Sequence, residues 1–193
     1  DTLVIQGGDV FINTTGATGA GVLDGVVTIN STTTLGDAAS NGNLTVEAGD
    51  NNIVVNGAID DDTAGATASD LVFNSSAITD INNNIGGTAA ITSITTDDGG
   101  SIGAGEYTII GAGATALTMA TDGNTQTYND PVVLAGDVTF TDSGATGIFF
   151  NSTLDTATGL GAGEGDLTVN VNNPAAQVVF GGVVGGNNVA AVS

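Results

Sequence analysis

Short apolar runs separated by turn-forming residues recur along all 193 residues of the chain, and this pattern constrains the fold most. Several runs alternate apolar and polar residues, as half-buried β-strands do. Gly, Asn and Asp dominate the intervening segments and favour tight turns. No window shows a convincing helical period over ten residues, so the pattern predicts an all-β protein. The predicted strands are 3–5, 10–12, 26–29, 44–46, 53–55, 71–73, 78–81, 91–94, 107–110, 117–119, 132–134, 138–140, 148–150, 167–171 and 178–180.

The chain also resembles itself at long range. Residues 136–147 (GDVTFTDSGATG) match residues 8–19 (GDVFINTTGATG). Three further matches follow in the same order: 151–153 with 30–32, 165–169 with 42–46, and 178–182 with 53–57. We interpret the chain as one module, 1–193, with approximate repeats 8–87 and 136–193 and a linking segment 88–135. A strand–turn unit that cannot bury its apolar face alone does so by stacking on the next unit.

Two architectures fit this repetition. A β-solenoid is preferred, because strands recur with turn punctuation and internal similarity. The alternative is a β-sandwich, or tandem sandwiches, with strand exchange between subunits. In that alternative, strand 3–5 or 10–12 would insert into a neighbouring copy and satisfy its edge hydrogen bonds.

The chain contains no Lys, Arg, His or Cys and carries a formal net charge of −21. It therefore lacks disulfides, thiolate nucleophiles and the usual imidazole base. Without cationic side chains, nucleic-acid binding is excluded and binding to anionic membranes is disfavoured. No stretch approaches the roughly 20 apolar residues of a membrane span. Because its few glutamates are scattered and no Trp could stack on a sugar, we predict that the chain is not an enzyme.

Two acidic runs are candidate calcium sites. Asp60, Asp61 and Asp62 follow a strand, and Asp97 and Asp98 precede two glycines. Adjacent carboxylates repel one another unless they are solvated or bound to a cation, and Ca²⁺ prefers oxygen ligands. The alternative interpretation is an exposed, solvated acidic turn at each place.

Asparagines provide two further hypotheses. Five of them begin an Asn-x-Ser/Thr sequon and are candidate glycosylation sites. Runs such as 82–84 and 187–188 could stack as ladders in a solenoid or cap turns. The five sequon residues are Asn13, Asn30, Asn43, Asn74 and Asn151.

Several segments in the second half of the chain are similar to the repeats of a known protein family. The segments that carry the similarity are TYNDPVVL at 127–134, GDVTF at 136–140, FNSTLD at 150–155, DLTVN at 166–170 and VFGGVVGG at 179–186. Together they resemble repeats of large bacterial surface proteins of the filamentous-haemagglutinin and adhesin type. The resemblance covers roughly residues 85–193 and is fainter over 8–84. It implies secretion, an extended β-rich stalk and an adhesive or matrix-building role, as in a biofilm.

These observations lead to one functional expectation and one alternative. The chain begins at Asp1 rather than Met, so we expect a processed, extracellular or cell-surface chain, or a fragment of a longer one. We expect a structural subunit or stalk repeat of a filament that associates with copies of itself, or with neighbouring repeats, through β-strand contacts. The alternative is a calcium-dependent adhesive module that binds a glycan or a surface. Only two Tyr and six Phe are present, most of the Phe within strands, which favours the structural role.

Overall fold

A computed structural model of the chain describes residues 3–5, 9–14, 25–36, 41–62, 68–97, 105–111, 115–157 and 165–185. Every regular element in these ranges is a β-strand, which confirms the all-β prediction. The strands are β1 (Leu3–Ile5), β2 (Val10–Asn13), β3 (Val27–Ile29), β4 (Thr33–Leu35), β5 (Leu44–Glu47), β6 (Ile53–Val55), β7 (Ile59–Asp61), β8 (Asp70–Asn74), β9 (Ile78–Ile81), β10 (Ser93–Thr96), β11 (Tyr107–Ile110), β12 (Leu117–Thr121), β13 (Thr125–Tyr128), β14 (Val132–Leu134), β15 (Val138–Asp142), β16 (Gly147–Phe150), β17 (Leu154–Thr156), β18 (Leu167–Val171) and β19 (Gln177–Phe180).

The strands wind into coils with three faces, which we call sheets A, B and C. Sheet B has the order β19-β16-β13-β10-β8-β5-β2, and sheet C has the order β17-β14-β11-β9-β6-β3. Sheet A consists of β1-β4-β7 and β12-β15-β18, which are connected by isolated bridges from Ile85 to Ile59 and to Met119. Each coil therefore passes from A to B to C before the next coil stacks on it. The chain is a β-solenoid, as the preferred sequence interpretation predicted.

The pairing direction rules out the sandwich alternative. Neighbouring strands within each sheet are parallel, for example β5 with β8 and β8 with β10. Immunoglobulin-type sandwiches are built from antiparallel strands linked by hairpins or Greek-key connections. Here each strand pairs with the equivalent strand of the next coil, because the chain has to complete a circuit before it returns to the same face.

Alternation along each strand builds the core. In sheet B, Leu44 pairs with Leu71, which pairs with Ile94, and all three side chains are fully buried. Residues between these inward positions, such as Thr45 and Val72, are half-buried on the outer surface. Because each inward side chain stacks on its equivalents in adjacent coils, small aliphatic residues fill the interior with few aromatics.

A second inward column of sheet B carries aromatic rings in the later coils. Tyr128, Phe150 and Phe180 occupy paired inward positions of sheet B. The ring of Phe150 is stacked between the other two, with centroids 5.3 Å from each. Phe140 of sheet A meets the Phe150 ring edge-on at 5.1 Å. These contacts connect sheets A and B through the interior.

Coil length varies along the solenoid. Leu117 pairs with Val138, 21 residues later, whereas Val10 pairs with Leu44, 34 residues later. The segments that resemble each other at long range lie on different faces: 8–19 includes β2 of sheet B, whereas 136–147 includes β15 of sheet A. Likewise 42–46 includes β5 of sheet B, and 165–169 includes β18 of sheet A. The similarity therefore reflects shared strand–turn chemistry rather than equivalent positions.

Asparagine side chains connect the coils at their surface. Nδ2 of Asn56 donates to Oδ1 of Asn30 at 2.9 Å, and Nδ2 of Asn82 donates to Oδ1 of Asn56 at 3.3 Å. A second pair joins Asn151 to Asn129 at 2.7 Å. Residue 82 thus belongs to a ladder of the kind hypothesised from its sequence, whereas 187–188 lies outside the described residues.

Candidate metal centre

Three carboxylates meet at a corner between sheets B and C. Asp97 directly follows β10, Glu106 directly precedes β11, and Asp130 lies in the short connection from β13 to β14. Because β10 pairs with β13 and β11 pairs with β14, these two connections belong to adjacent coils. One carboxylate oxygen from each residue lies within 4.8 Å of the others. We call this cluster of three residues the B–C corner.

Hydrogen bonds between coils hold the corner in place. The N–H of Asp97 donates to the carbonyl of Phe73 in the preceding coil at 2.7 Å. Nδ2 of Asn129, from the following coil, donates to the carbonyl of Asp97 at 2.9 Å. On the other side, the N–H of Thr108 donates to the carbonyl of Pro131 at 2.9 Å. The carboxylates are therefore positioned by contacts that cross between coils.

Burial makes this an unfavourable place for negative charge. Asp130 is 1% exposed and Asp97 is 6% exposed, while Glu106 is half-buried. Within the described part of the chain, no N–H or hydroxyl donor reaches either oxygen of Asp130. Desolvation, followed by the charges of Asp97 and Glu106 and a hydrogen bond that protonated Asp130 donates to Asp97, raises the pKa of Asp130 from 3.8 to about 7.

The corner can hold either a proton or a hard cation. Around a Ca²⁺ ion with oxygen ligands at about 2.3–2.6 Å, ligand atoms lie up to roughly 5 Å apart. The separation of 4.8 Å or less therefore fits this geometry. A thiolate or imidazole ligand set is unavailable to a chain without Cys or His, so transition metals that prefer sulfur or nitrogen are disfavoured.

The acidic run at 60–62 has a different arrangement. Oδ1 of Asp60 accepts from the N–H of Thr88 at 2.8 Å. Oδ1 of Asp61 accepts from the hydroxyl of Ser69 at 3.0 Å. Asp61 is buried, while Asp60 and Asp62 are half-buried, as alternation along β7 dictates. Among the described residues, the group of carboxylates close enough to share a metal ion is the B–C corner rather than this run.

Sequence reasoning therefore identified one of the three corner residues. Asp97 was a candidate ligand, and its predicted companion Asp98 lies outside the described residues. Glu106 and Asp130 were not proposed as ligands. The sequence feature that could have indicated Asp130 is its position directly before Pro131, at a turn between two strands.

Three glycosylation candidates use their side-chain amides between coils. Nδ2 of Asn43 donates to Asp9 at 2.9 Å, Nδ2 of Asn74 donates to Glu47 at 2.7 Å, and Nδ2 of Asn151 donates to Asn129. Asn30 and Asn13 are exposed, and Oδ1 of Asn30 accepts within the asparagine ladder. In these three residues, the amide nitrogen that a glycan would modify already donates an inter-coil hydrogen bond.

A second set of acidic residues lies at the C-terminal ends of three sheet A strands, β7, β12 and β15. The hydroxyl of Thr121 donates to Oδ1 of the fully buried Asp142 at 2.9 Å. Burial raises the pKa of Asp61, and the charge of Asp122 adds to it. Burial likewise raises the pKa of Asp122, and the charge of Asp142 adds to it. These carboxylates differ from Asp130 because Asp61 and Asp142 each accept a hydrogen bond from a hydroxyl group.

We predict that the metal-free protein becomes more stable as the pH is lowered from 8 to 5.5. The folded-state pKa of Asp130, about 7, exceeds its ordinary value of 3.8. Between these values the folded protein binds a proton that the unfolded chain releases, so this stabilisation is lost as the pH rises through 7. Allowing for solvent screening, the expected gain is about 1–2 kcal/mol, measured by urea unfolding in a chelator.

The variant Asp130→Asn is the control for this pH dependence. Its amide stays neutral throughout, so its stability should change less than that of the parent protein between pH 6 and 8. A parent protein whose stability is constant over this interval would contradict the assigned proton binding.

No described segment forms a helix that is long and apolar enough to cross a bilayer. Comparisons with protein-family models, with curated proteins and with solved structures gave no match to this chain.

Proposed function

We propose that this chain is a structural module of an extracellular filament or adhesin stalk, and that its solenoid extends by stacking end to end on another copy. The observation that carries the proposal is where apolar surface is exposed. In the described part of the chain, the large exposed apolar side chains belong to the first coil or the last coil: Val10, Phe11, Val26, Phe180 and Val183.

The sheet edges at these two ends suit parallel addition. Among the described strands, β2 and β19 are the outermost of sheet B, and each has one edge with no described neighbour in that sheet. Phe11 is 60% exposed and Val183 is 64% exposed. The edge of β2 faces the opposite way along the solenoid from that of β19. Contact between unlike ends is heterologous, and such contacts continue into open filaments.

Charge favours contact at the ends over contact along the sides. The net charge is −21 and no side chain is cationic, so flanks of two copies repel each other. The apolar residues at the ends supply attraction where main-chain groups can also pair. Absence of Lys and Arg also leaves no site for proteases that cleave after basic residues, which suits an exposed extracellular fibre.

The calcium-dependent adhesive module has less support. A cation that recognises an external glycan needs an accessible face. Asp97 and Asp130 of the B–C corner are almost completely buried, and Tyr128, the aromatic residue nearest in sequence to Asp130, is fully buried. This environment suits a cation that stabilises the solenoid.

Electron microscopy and sedimentation of Val183→Asp test the proposal. Burying a Val at a contact contributes roughly 1.5–3 kcal/mol, so placing a charge there should weaken association by about tenfold or more. We expect filaments from the parent chain at physiological salt and mainly single particles from the variant at the same concentration.

The matched control is Asn124→Asp, which adds the same charge at an exposed turn in the middle of the solenoid. It should form filaments like the parent chain. Single particles of the parent chain at every salt and protein concentration would overturn end-to-end assembly. Equal loss of filaments in both variants would show that net charge, rather than the coil ends, controls association.

A further inference from the structure

Asp130 differs from the buried Asp61 and Asp142 in having no compensating donor among the described residues. Asp61 accepts a hydrogen bond from Ser69, and Asp142 accepts from Thr121. Both oxygens of Asp130 are buried, and no donor among the described residues reaches them. Its side chain instead faces the carboxylates of Asp97 and Glu106. An isolated buried carboxylate is costly, so native proteins pair it, protonate it or use it to bind a metal ion.

No cationic side chain can pair with Asp130, because the chain contains no Lys, Arg or His. A metal ion or a proton from solvent can compensate its charge instead. Two hydroxyl groups in the same segments, those of Thr96 and Thr108, are also fully buried and have no hydrogen-bond partner among the described residues. Thr96 precedes Asp97, and Thr108 lies two residues after Glu106. The segments that form the corner thus carry buried oxygen atoms beyond those of Asp130, and oxygen atoms are the ligands that a hard cation prefers.

We propose that the B–C corner is a calcium site in which Asp97, Glu106 and Asp130 bind one ion and thereby fasten two adjacent coils together. Asp97 and Glu106 belong to the coil of β10 and β11, and Asp130 belongs to the next coil. The ion replaces repulsion between these coils with shared coordination.

Calcium fits this corner better than magnesium. Mg²⁺ requires near-ideal octahedral geometry and releases its water molecules reluctantly. Two of the three carboxylates are more than nine-tenths buried, which leaves little room for a hydrated ion. Ca²⁺ accepts irregular sets of oxygen ligands, including hydroxyl and carbonyl groups.

Terbium luminescence can test the site in the intact chain. Tb³⁺ occupies calcium sites and emits when a nearby tyrosine is excited. The two tyrosines of the chain are Tyr107, adjacent to Glu106, and Tyr128, two residues before Asp130, and there is no Trp. Sensitised emission therefore reports this corner rather than distant surface carboxylates. We expect a saturable signal that Ca²⁺ displaces and that Mg²⁺ displaces poorly.

Two variants should weaken binding, and one should not. Even loss of a partner outside the coordination sphere costs about 10- to 100-fold in metal affinity, so Asp130→Asn and Glu106→Gln should each lower terbium affinity at least tenfold. Asp61→Asn, which changes a buried carboxylate outside the corner, should bind like the parent chain. Circular dichroism establishes that each variant is folded, and the half-buried Glu106 tolerates substitution more readily than Asp130.

Calcium should also raise the unfolding temperature of the parent chain, because a ligand that binds only the folded state stabilises that state. The unfolding temperature of Glu106→Gln should not rise, since this variant lacks one of the ligands. Terbium emission that is absent from the folded parent chain, or that is unchanged in both corner variants, would overturn the site. These measurements use single chains at low concentration, so they succeed or fail independently of filament formation.

Discussion

Replacing Phe150 by Ala is expected to lower the free energy of unfolding by about 3–5 kcal/mol, the range for removing a buried aromatic side chain. Phe150 is 1% exposed and contacts the rings of Tyr128, Phe140 and Phe180 at centroid distances of 5.1–5.3 Å. The substitution therefore leaves a cavity and removes three aromatic contacts, each of which contributes about 0.5–1.5 kcal/mol beyond area burial. Urea unfolding followed by circular dichroism measures the loss.

The adjacent residue offers a matched control. Phe149 lies on the same strand but is only half-buried, because its side chain points to the outer face of sheet B. Phe149→Ala should cost less than half as much as Phe150→Ala. Similar losses from the two variants would contradict the inward column of rings. Since each coil contacts mainly its neighbours, faster amide exchange in Phe150→Ala should be concentrated in β13, β16 and β19.

The fold class was predictable because local sequence and global architecture agree. Alternating apolar residues define strands that need one buried face, and Gly, Asn and Asp mark the corners between them. Leu44-Thr45-Val46 shows this at one strand: Leu44 and Val46 are fully buried, and Thr45 lies on the outer face. Stacking in parallel lets every such strand bury its apolar side against its equivalents.

Four strands were not predicted from the sequence: β4, β7, β13 and β17. Their sequences are TTL, IDD, TQTY and LDT, so Thr, Asp or Gln occupies inward positions that are apolar elsewhere. Thr33 and Gln126, for example, are fully buried. Such positions are tolerated because other faces of the solenoid supply hydrogen-bond partners, as the three acceptors of Gln126 in sheet A show. A single strand read in isolation does not reveal those partners.

The corner cluster of carboxylates was only partly predictable from the sequence, for a related reason. Sequence reasoning looks for carboxylates that are adjacent along the chain, such as Asp60 and Asp61. Strand alternation sends adjacent side chains to opposite faces, whereas coil stacking brings together residues far apart in sequence, such as Asp97 and Asp130. Coil lengths of 21 to 34 residues prevent a fixed period from predicting which residues will meet. The location of a corner cluster therefore requires the register between coils.

Gln126→Leu is expected to lower the free energy of unfolding by about 2–3 kcal/mol, although it places an aliphatic side chain in an aliphatic column. Gln126 is fully buried between Ile94 and Ile148. Its Nε2 donates to the carbonyls of Met119 at 3.0 Å and of Thr141 at 2.7 Å, so it connects sheet B with two coils of sheet A. Urea unfolding at neutral pH measures the cost.

Much of this cost should arise at a neighbouring hydroxyl group. The hydroxyl of the fully buried Tyr128 donates to Oε1 of Gln126 at 3.1 Å, and a buried donor without an acceptor costs about 1–3 kcal/mol. Tyr128→Phe added to Gln126→Leu should therefore restore part of the lost stability, giving a coupling that separate effects would not produce. Gln177→Leu, at an exposed position of β19, should change stability by less than about 0.5 kcal/mol. Strictly additive losses at 126 and 128 would show that the two side chains do not share a hydrogen bond.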